Sequence, residues 1–429
     1  MEHEEKNPVV AGTNHEKLSK EFGTLPTPCY MIDEEKLQQN VEILAGVAAR
    51  TGCKILLAQK AFSNYDCYPI LAKYLAGTEA SGLFEARLGA EEMPGKEVHV
   101  FCGAYRDDEF EELLRYADHI VFNSVRQLEK FGKRAKDAGK SVGLRINPEC
   151  STQEGHAIYD PCAPGSRLGV TRDVWNKEMT EELLQLLDGL HFHTLCEQDA
   201  DALEITLRAV EARFGDVLPQ MQWLNMGGGH HITKPGYNVD ILEKCIAYAK
   251  EKWKVEVYLE PGEAVALNAG YLVSRVLDVV TNSDTKIAIL DTSAACHMPD
   301  VIEMPYTPPL YGAVKAEDIE NAVQTQEAAL SNHMSSYTYR YRLAGPTCLS
   351  GDVIGDYCFR KELQEGDLLI FEDMAIYTTC KNNTFNGMPL PNIWKRTAEG
   401  ELLQLTDFGY RDFKNRLGKI SFLARNKVK

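Results

Sequence analysis

The chain has 429 residues, of which 44% are hydrophobic and 25% charged, so it is too long for one ordinary core and predicts two domains or one large barrel with an appendage. A formal net charge of -17 argues against nucleic acid or an anionic membrane surface as a partner, because both would repel the protein, although many proteins are acidic for solubility alone. The chain has twelve cysteines and no C-x-x-C pair, which predicts reduced thiols. It also shows no signal peptide at the start and no apolar run long enough to cross a bilayer, so we predict a cytoplasmic protein.

From about Leu37 the chain alternates amphipathic helical stretches with short apolar runs, a pattern typical of repeated βα units. Eight of these runs resemble buried strands that end in polar or glycine-rich residues: 55–58, 78–80, 98–101, 120–122, 142–146, 190–192, 223–226 and 255–259. Eight strands alternating with helices over about 220 residues predict an α/β fold of the (β/α)8 barrel type, in which functional groups gather at the carboxyl ends of the strands. A doubly wound open sheet is the alternative.

After Gly270 the pattern changes to strand-like runs separated by turn residues, at 271–280, 286–291 and 368–372. The run 28–33 also looks like a strand that could join this later region, whereas 314–337 is polar and indicates an insertion or surface excursion. We therefore predict a barrel domain over 37–268 and a mostly β domain formed by 1–36 together with 269–429.

Lys60 directly follows the apolar run 54–59, where a buried strand would give way to a loop. An amine is nucleophilic at neutral pH only where burial or a neighbouring cation disfavours its ammonium form, and a strand end under a loop offers both. Lys60 is therefore a candidate for a covalent bond to a carbonyl group. The alternative is a lysine whose stem is buried and whose charged head reaches solvent.

Three adjacent glycines, Gly227, Gly228 and Gly229, follow the strand-like run 223–226. Glycines let the backbone approach a ligand closely, and their consecutive N–H groups can surround a phosphate, although a tight turn would need the same residues. The run lacks the glycine and Lys-Ser/Thr framework of a nucleoside triphosphate loop, so that class of ligand is disfavoured.

Two further polar residues lie at predicted strand ends. Glu260 is expensive to bury without a cationic partner, and a protonated pyridine nitrogen would be one. His193 is either a core histidine bonded to backbone or a flat ring that stacks on a cofactor. The pairs His191-x-His193 and His230-His231 suggest a metal, but no carboxylate or third histidine stands at a recognisable ligand spacing, so we predict no metal site.

A lysine, a glycine loop, a carboxylate and a histidine on one barrel face together favour pyridoxal phosphate, which stabilises a carbanion at the α carbon of an amino acid. Loss of CO2 and loss of a proton both lead to that carbanion, so these residues leave decarboxylase and racemase open.

Five ordered motifs resemble a known family across nearly the whole chain: 59–62, 189–198, 225–233, 260–263 and 345–352. They are similar to those of the alanine-racemase-fold, ornithine-decarboxylase-like pyridoxal phosphate enzymes. Within that group the pattern is most similar to the carboxynorspermidine/carboxyspermidine decarboxylases.

The resemblance implies a cofactor role for each matching residue. Lys60 bonds to the cofactor aldehyde, His193 stacks on the ring and Glu260 pairs with the pyridine nitrogen. The phosphate lies against the three glycines and Tyr377, and the supporting polar pair is Arg145 and Glu79.

The resemblance also implies residues that act on the substrate. Cys348 matches a cysteine that reaches across a dimer interface and protonates the carbon after CO2 leaves, and Asp352 matches a substrate-binding aspartate. The alternative for Cys348 is a buried structural thiol. The related segment 291–300 supplies substrate contacts, which assigns Asp300 to an amine of the substrate.

Two departures from the ornithine-type pattern concern charge. Glu263 stands where those enzymes carry an arginine near the phosphate, and Leu349 stands where they carry an aspartate after the cysteine. We assign Glu263, with Asp300, to the ammonium groups of a long polyamine, since charge-assisted hydrogen bonds would fix its length. Glu263 could instead be a solvated loop acid.

The resemblance therefore implies decarboxylation of carboxynorspermidine or carboxyspermidine to norspermidine or spermidine, in polyamine biosynthesis, by a homodimer with shared active sites. The substrate would be a small cationic carboxylated polyamine. A decarboxylase for another basic amino acid or diaminopimelate is one alternative, and a non-catalytic polyamine-pathway binding protein of the same fold is another.

Overall fold

The computed structural model describes residues 11–153, 160–324 and 334–418, and these fall into two compact units. The barrel unit comprises Lys36–Leu267. The β unit combines the described parts of Met1–Glu35 and Asn268–Lys429, and it opens with α1 (Ala11–Phe22) and β1 (Cys29–Asp33).

Eight parallel strands form the barrel, and it closes because the last strand pairs with the first. They are β2 (Lys54–Ala58), β3 (Gly77–Ala80), β4 (Glu97–Phe101), β5 (His119–Phe122), β6 (Ser141–Arg145), β7 (Gly189–His191), β8 (Trp223–Asn225) and β9 (Glu256–Leu259). The predicted eight-stranded barrel is confirmed, and the doubly wound alternative is wrong. The eight predicted runs overlap these strands one to one.

Helices alternate with the strands, as the amphipathic stretches predict. They are α2 (Glu34–Thr51), α3 (Tyr68–Leu71), α4 (Leu83–Glu92), α5 (Asp107–Leu113), α6 (Val125–Asp137), α7 (Arg172–Glu178), α8 (Glu181–Leu184), α9 (Ala200–Phe214), α10 (Val239–Trp253) and α11 (Glu263–Ala266), with 3-10 turns at Tyr65–Cys67 and Leu218–Gln220. In α6 the side chain of Ser124 accepts a hydrogen bond from Gln127 N and caps the first turn. Leu128 and Phe131 lie on its buried face, at the spacing of an amphipathic helix.

Trp223 fills the interior at the amino ends of the barrel strands. It is the first residue of β8, and its ring occupies the space that side chains at Gly143 and Gly189 would take. A Cβ on Gly189 would lie 2.0 Å from the Trp223 ring, and one on Gly143 would lie 2.3 Å from it. This packing closes the amino end, so the carboxyl ends of the strands are left to form a site.

The β unit is a nine-stranded sheet in the order β12-β14-β13-β11-β10-β1-β16-β17, with β15 also paired to β10. The strands after the barrel are β10 (Gly270–Asn282), β11 (Thr285–Leu290), β12 (Val314–Lys315), β13 (Tyr339–Ala344), β14 (Val353–Phe359), β15 (Leu368–Glu372), β16 (Asn392–Arg396) and β17 (Leu402–Gln404). β1 pairs antiparallel with β10 and parallel with β16, as predicted for the run 28–33.

Short helices connect these strands: α12 (Ala294–His297), α13 (Asp300–Glu303), α14 (Ala316–Gln324), α15 (Thr378–Lys381) and α16 (Tyr410–Leu417), with a 3-10 turn at Phe385–Gly387. The predicted insertion 314–337 contains β12 and α14, and its part 325–333 lies outside the described residues. In the three described stretches, no helix combines the length and apolar character needed to span a membrane.

Candidate active site

A cavity of about 740 Å³ lies at the carboxyl ends of the barrel strands, a size that suits a small-molecule ligand. Its wall is built from strand ends, from the turns that follow them, and from the segment 160–168. Six of the residues predicted from the sequence line it: Lys60, Glu79, Arg145, His193, Gly228 and Glu260. The barrel thus brings together side chains that are far apart along the chain.

Lys60 lies in the turn after β2, and its side chain is exposed in the cavity rather than buried as predicted. The buried position at this turn is taken by Gln59 instead. Gln59 Nε2 donates to the Glu85 carbonyl at 2.9 Å, and Gln59 Oε1 accepts from the Tyr68 hydroxyl at 3.0 Å. Because successive residues leaving a strand point in opposite directions, holding Gln59 against α3 and α4 turns the Lys60 amine towards the cavity.

Glu260 follows β9 and is only 6% exposed. Its carboxylate accepts hydrogen bonds from His191 Nε2 at 3.1 Å and from Asn225 Nδ2. Burial alone would raise the pKa of Glu260, but the adjacent His191 and the hydrogen bonds outweigh it, so the pKa is lowered. Glu260 is therefore an ionised carboxylate held by two donors at the cavity wall.

His191 and Asn225 were not predicted as cofactor-site residues. His191 ends β7 and received a role only as half of a possible metal pair, whereas Asn225 ends β8 and belongs to the motif 225–233 without a predicted role. Both are buried polar side chains at strand ends, and such positions are costly unless the group has a hydrogen-bond partner. That signal, applied to every strand end, would have identified them.

Glu79 on β3 is the second carboxylate of the cavity, and it is 5% exposed. Burial raises its pKa well above the usual range, and the nearby Glu260 raises it further, whereas Lys60 and Arg145 act in the opposite direction. A like charge nearby disfavours ionisation, so burial and the Glu260 charge together favour the protonated form of Glu79.

Arg145 and His193 are linked by a hydrogen bond. Arg145 Nη2 donates to the His193 carbonyl at 3.0 Å, and the guanidinium lies 4.6 Å from the centre of the Phe101 ring. Burial lowers the pKa of Arg145 to about 10, so it stays charged at neutral pH. Burial, then Lys60 and Arg145, hold the pKa of His193 well below its usual range. His193 is therefore a neutral ring.

The glycine loop is shaped by close packing against its neighbours. Gly227 and Gly229 have φ of 70° and 80°, and a Cβ on Gly228 would lie 2.4 Å from the Glu260 carbonyl oxygen. Gly227 N donates to Asn225 Oδ1 at 2.9 Å, and Gly228 N donates to His193 Nδ1 at 2.8 Å. Two of the three N–H groups predicted to surround a phosphate are thus already bonded within the barrel. Among the described residues, only the Gly229 N–H of this loop has no acceptor.

Glu263 begins α11 and is not one of the residues that line the cavity. Its Oε2 accepts from His231 Nε2 at 3.1 Å, and Glu197 lies close enough that the three ligand atoms fall within 4.8 Å of one another. A carboxylate therefore does lie beside His231, which the sequence spacing did not show. The absence of a metal site stays a prediction.

Four predicted residues belong to the β unit. Cys348 is exposed, and its backbone N donates to Asn386 Oδ1 at 2.8 Å. Asp352 is 3% exposed, and it accepts from the hydroxyls of Ser293 at 2.9 Å and Thr347 at 2.6 Å. The Asp352 carboxylate thus joins its own loop to Ser293, and a substrate amine at this carboxylate would share it with these two hydroxyl donors.

The other two are Asp300 and Tyr377. Asp300 begins α13 and pairs with the Lys381 ammonium group, which also lies 2.6 Å from Glu303. Tyr377 is half-buried and precedes α15 with φ 58° and ψ -32°, a backbone conformation that costs about 1–3 kcal/mol in a residue other than glycine. Strain of this kind is concentrated at functional sites.

Comparisons with known proteins agree with this arrangement. The family model for "Pyridoxal-dependent decarboxylase, C-terminal sheet domain" matches residues 29–375. A carboxynorspermidine/carboxyspermidine decarboxylase of Campylobacter jejuni is 43% identical over 395 residues, covering 91% of this chain and 98% of that protein. A carboxyaminopropylagmatine decarboxylase of Synechocystis sp. is 41% identical, covering 92% and 97%. A crystal structure of the Campylobacter jejuni carboxynorspermidine decarboxylase complexed with norspermidine has a TM-score of 0.80 and 40% identity, covering 91% and 100%.

Proposed function

Because the chain belongs to the pyridoxal-dependent decarboxylases, we propose that it uses pyridoxal phosphate to convert carboxynorspermidine and carboxyspermidine to norspermidine, spermidine and CO2 in polyamine biosynthesis. The observation that carries the proposal is the 43% identity with the Campylobacter jejuni enzyme over 91% of this chain. The norspermidine complex of a structure with a TM-score of 0.80 supports a polyamine as the occupant of the site.

The cavity fits this cofactor in its donor set and its shape. It offers the exposed Lys60 amine to an aldehyde and the ionised Glu260 carboxylate to a pyridinium N–H. Gly228 leaves free the space beside His193 that a side chain would fill, since a Cβ there would reach 3.4 Å from the His193 ring. When bound, pyridoxal phosphate accepts the electron pair that remains on the α carbon as CO2 departs.

The residues of this chain then divide the remaining tasks. Lys60 would hold the cofactor through its amine, Glu260 would keep the ring nitrogen protonated, and His193 would stack on the ring. Arg145 and Glu79 would support the ring, while Tyr377 and the loop Gly227, Gly228 and Gly229 would hold the phosphate. Since Gly229 keeps a free N–H among the described residues, we assign the direct phosphate contact in this loop to Gly229.

Protonation of the carbon is assigned to Cys348, which is exposed on the β unit. We propose that the protein is a cytoplasmic homodimer in which Cys348 of one subunit completes the site of the other. We also propose a catalytic barrel domain over 37–268 and a β domain over 1–36 and 269–429, and the division of the described residues at Lys36 and Leu267 supports these limits.

The substrate ammonium groups are assigned to Glu263, Asp300 and Asp352. The net charge of -17 favours a cationic substrate, and the carboxylates of Glu263 and Asp300 disfavour diaminopimelate, whose distal carboxylate needs a cationic group. Asp300 is already paired with Lys381, so a substrate amine there would compete with an internal ammonium group.

A second candidate substrate is carboxyaminopropylagmatine, because the Synechocystis enzyme named for it is 41% identical over 92% of this chain. Its name describes an aminopropyl chain on agmatine, which ends in a guanidinium group where norspermidine ends in an amine. A guanidinium can form two parallel hydrogen bonds with one carboxylate, whereas an ammonium cannot match that geometry.

The deciding experiment measures CO2 release by purified protein from five substrates: carboxynorspermidine, carboxyspermidine, carboxyaminopropylagmatine, diaminopimelate and ornithine. We expect kcat/KM to be highest for one of the first two. A higher value for carboxyaminopropylagmatine selects the second candidate, and a higher value for ornithine or diaminopimelate refutes both. No CO2 from any of them, with cofactor bound, indicates a binding protein of the same fold.

The assignments of Glu263 and Asp300 are tested by the variants Glu263→Gln and Asp300→Asn. We expect KM for the polyamine to rise while the absorbance of the bound cofactor is unchanged, because each variant removes one charge assigned to the substrate and none assigned to the cofactor. Glu320→Gln, which breaks an exposed ion pair with Arg340 in the β unit, is the matched control. Unchanged KM in a variant removes that residue from the substrate site.

A further inference from the structure

The two carboxylates of the cavity differ in their hydrogen bonds. Glu260 accepts from His191 and Asn225, whereas no side chain or backbone N–H in the described parts of the chain donates to the Glu79 carboxylate. Both residues are buried to a similar extent. The environment therefore distinguishes the two carboxylates through their donors and not through exposure.

We propose that His191 and Asn225 are positioning residues that fix the negative charge of this pair on Glu260 and leave the proton on Glu79, so that Glu79 meets the cofactor as a hydrogen-bond donor. The inference rests on the proposed function only through the cofactor and not through the identity of the substrate. It assigns roles to two residues that do not act on the substrate and one new role to Glu79.

The orientation of Asn225 is fixed by its second bond. Its Oδ1 accepts from Gly227 N at 2.9 Å, so its Nδ2 is the atom that faces Glu260. Rotating the amide would place an oxygen against the carboxylate and leave the Gly227 N–H without an acceptor, so the network defines one orientation. Asn225 therefore presents a donor to Glu260 in every protonation state and ties Glu260 to the glycine loop.

His191 is held in place by packing. Its ring stacks on Phe101 with the ring centres 5.4 Å apart and the planes 17° apart, and its Nε2 faces Glu260. Its buried Nδ1 has no hydrogen-bond partner among the described residues. A charged ring would bury an N–H without an acceptor, so the neutral ring with the proton on Nε2 is favoured, and that ring donates to Glu260.

The charged and titratable groups that act on the pair come from several elements of the barrel. They are Lys60 after β2, Glu85 in α4, His99 on β4, Cys102 and Tyr105 after β4, Arg145 on β6, His191 on β7 and His230 after β8. Lys60 and Arg145 favour ionisation of Glu79, yet burial and Glu260 prevail and keep its pKa raised. Without the two donors, burial would act on Glu260 as it acts on Glu79, and the proton would no longer have a defined site.

The first test is infrared spectroscopy of the cofactor-free protein, which needs neither cofactor nor substrate. We expect a C=O stretch of a buried protonated carboxylic acid at neutral pH that disappears in Glu79→Gln. If this band is absent, or if it persists in Glu79→Gln, the proposal is wrong. A wrong substrate assignment would leave the band unaffected, so the two failures can be told apart.

The second test is the pH dependence of pyridoxal phosphate binding. In His191→Leu we expect Kd at neutral pH to rise about tenfold, and the loss of binding on acidification to move up by about one pH unit, because Glu260 loses a hydrogen bond to its ionised form. His191→Gln carries a donor at the position of Nε2 and should restore part of both effects. His297→Gln, which alters a buried histidine of the β unit bonded to the Pro389 carbonyl instead, is the control and should keep the wild-type profile. Equal profiles for His191→Leu and His191→Gln would overturn the role of His191.

Discussion

Replacing Gly228 by alanine adds one methyl group at the point where the glycine loop meets Glu260. That Cβ would lie 2.4 Å from the Glu260 carbonyl oxygen, roughly 1 Å inside the usual carbon–oxygen contact distance. The atom it meets belongs to the backbone, so a side-chain rotation cannot relieve the collision. Either the loop or the end of β9 must move, and both carry groups of the cofactor site.

Overpacking of this kind costs about 1–3 kcal/mol. If the cost falls on the arrangement that binds pyridoxal phosphate, Kd rises by about 5- to 150-fold, since about 1.4 kcal/mol corresponds to tenfold. The assay is titration of cofactor-free protein with pyridoxal phosphate, followed by absorbance, with urea denaturation to check that the variant is folded. The backbone N of Gly228 itself donates to His193 Nδ1, so the His193 ring should shift with the loop.

Gly82→Ala is the matched control. Gly82 has an extended backbone with φ 178°, and a Cβ there would meet no atom within 4 Å, although the neighbouring Ser81 lines the same cavity. We expect this variant to bind the cofactor as the wild type does. If Gly228→Ala binds within about twofold of the control, the loop yields without cost and the reasoning from close packing is refuted.

Three further predictions concern the lysine, the cysteine and the pH dependence of stability. Lys60→Ala should lose the absorbance of lysine-bound cofactor and all CO2 release, because the Lys60 amine is the one assigned to the aldehyde; retention of both would disprove that role. Mixing Lys60→Ala with Cys348→Ala protein should restore about a quarter of wild-type activity. About half of the exchanged dimers are mixed, and each mixed dimer regains one of its two sites. If subunit exchange is proven and no activity returns, Cys348 either belongs to its own subunit's site or takes no part in the chemistry. The third prediction concerns the buried side chain of His297. Its Nδ1 accepts a hydrogen bond from Ser293 N and its Nε2 faces the Pro389 carbonyl, so both nitrogens of the neutral ring have partners. Burial lowers the pKa of His297 to about 4. An unfolded histidine binds its proton near pH 6.5, so the free energy of unfolding should fall as pH decreases from about 6.5 to 4, by about 1.4 kcal/mol per pH unit for each such histidine. Urea denaturation of the wild type and of His297→Gln at several pH values should show a smaller dependence of the free energy of unfolding on pH in the variant. An equal dependence in both proteins would contradict this role of His297.

The strands of the barrel were predictable because each is a short apolar run followed by a polar residue, and that pattern is local. β1 was recognisable as a strand for the same reason. The direction of Lys60 was not predictable, since it depends on Gln59 finding partners at Glu85 and Tyr68 in other elements. The burial of Lys60 was predicted from its own position on the strand, which does not show the partners of its neighbour Gln59.

The polar network behind Glu260 shows the same limit. The strand-end pattern supplied Glu260 and the glycines, but not the roles of His191 and Asn225, which lie on β7 and β8 and meet Glu260 only after the barrel closes. Likewise, spacing along the chain placed no carboxylate near His231, although Glu263 lies 3.1 Å from it. Contacts between strands of a closed barrel are set by register, which the sequence pattern alone does not specify.

The position of β1 has a consequence for how the chain is made. All five of its residues are buried, and its partners β10 and β16 both follow the barrel in sequence. During synthesis β1 therefore leaves the ribosome long before either partner exists, while the barrel has every strand it needs once β9 is complete. We expect the barrel to fold first and the sheet to assemble last, because domains fold as units in the order of synthesis. Until then the segment that forms β1 has no sheet to pair with, so its backbone N–H and C=O groups stay hydrogen-bonded to water.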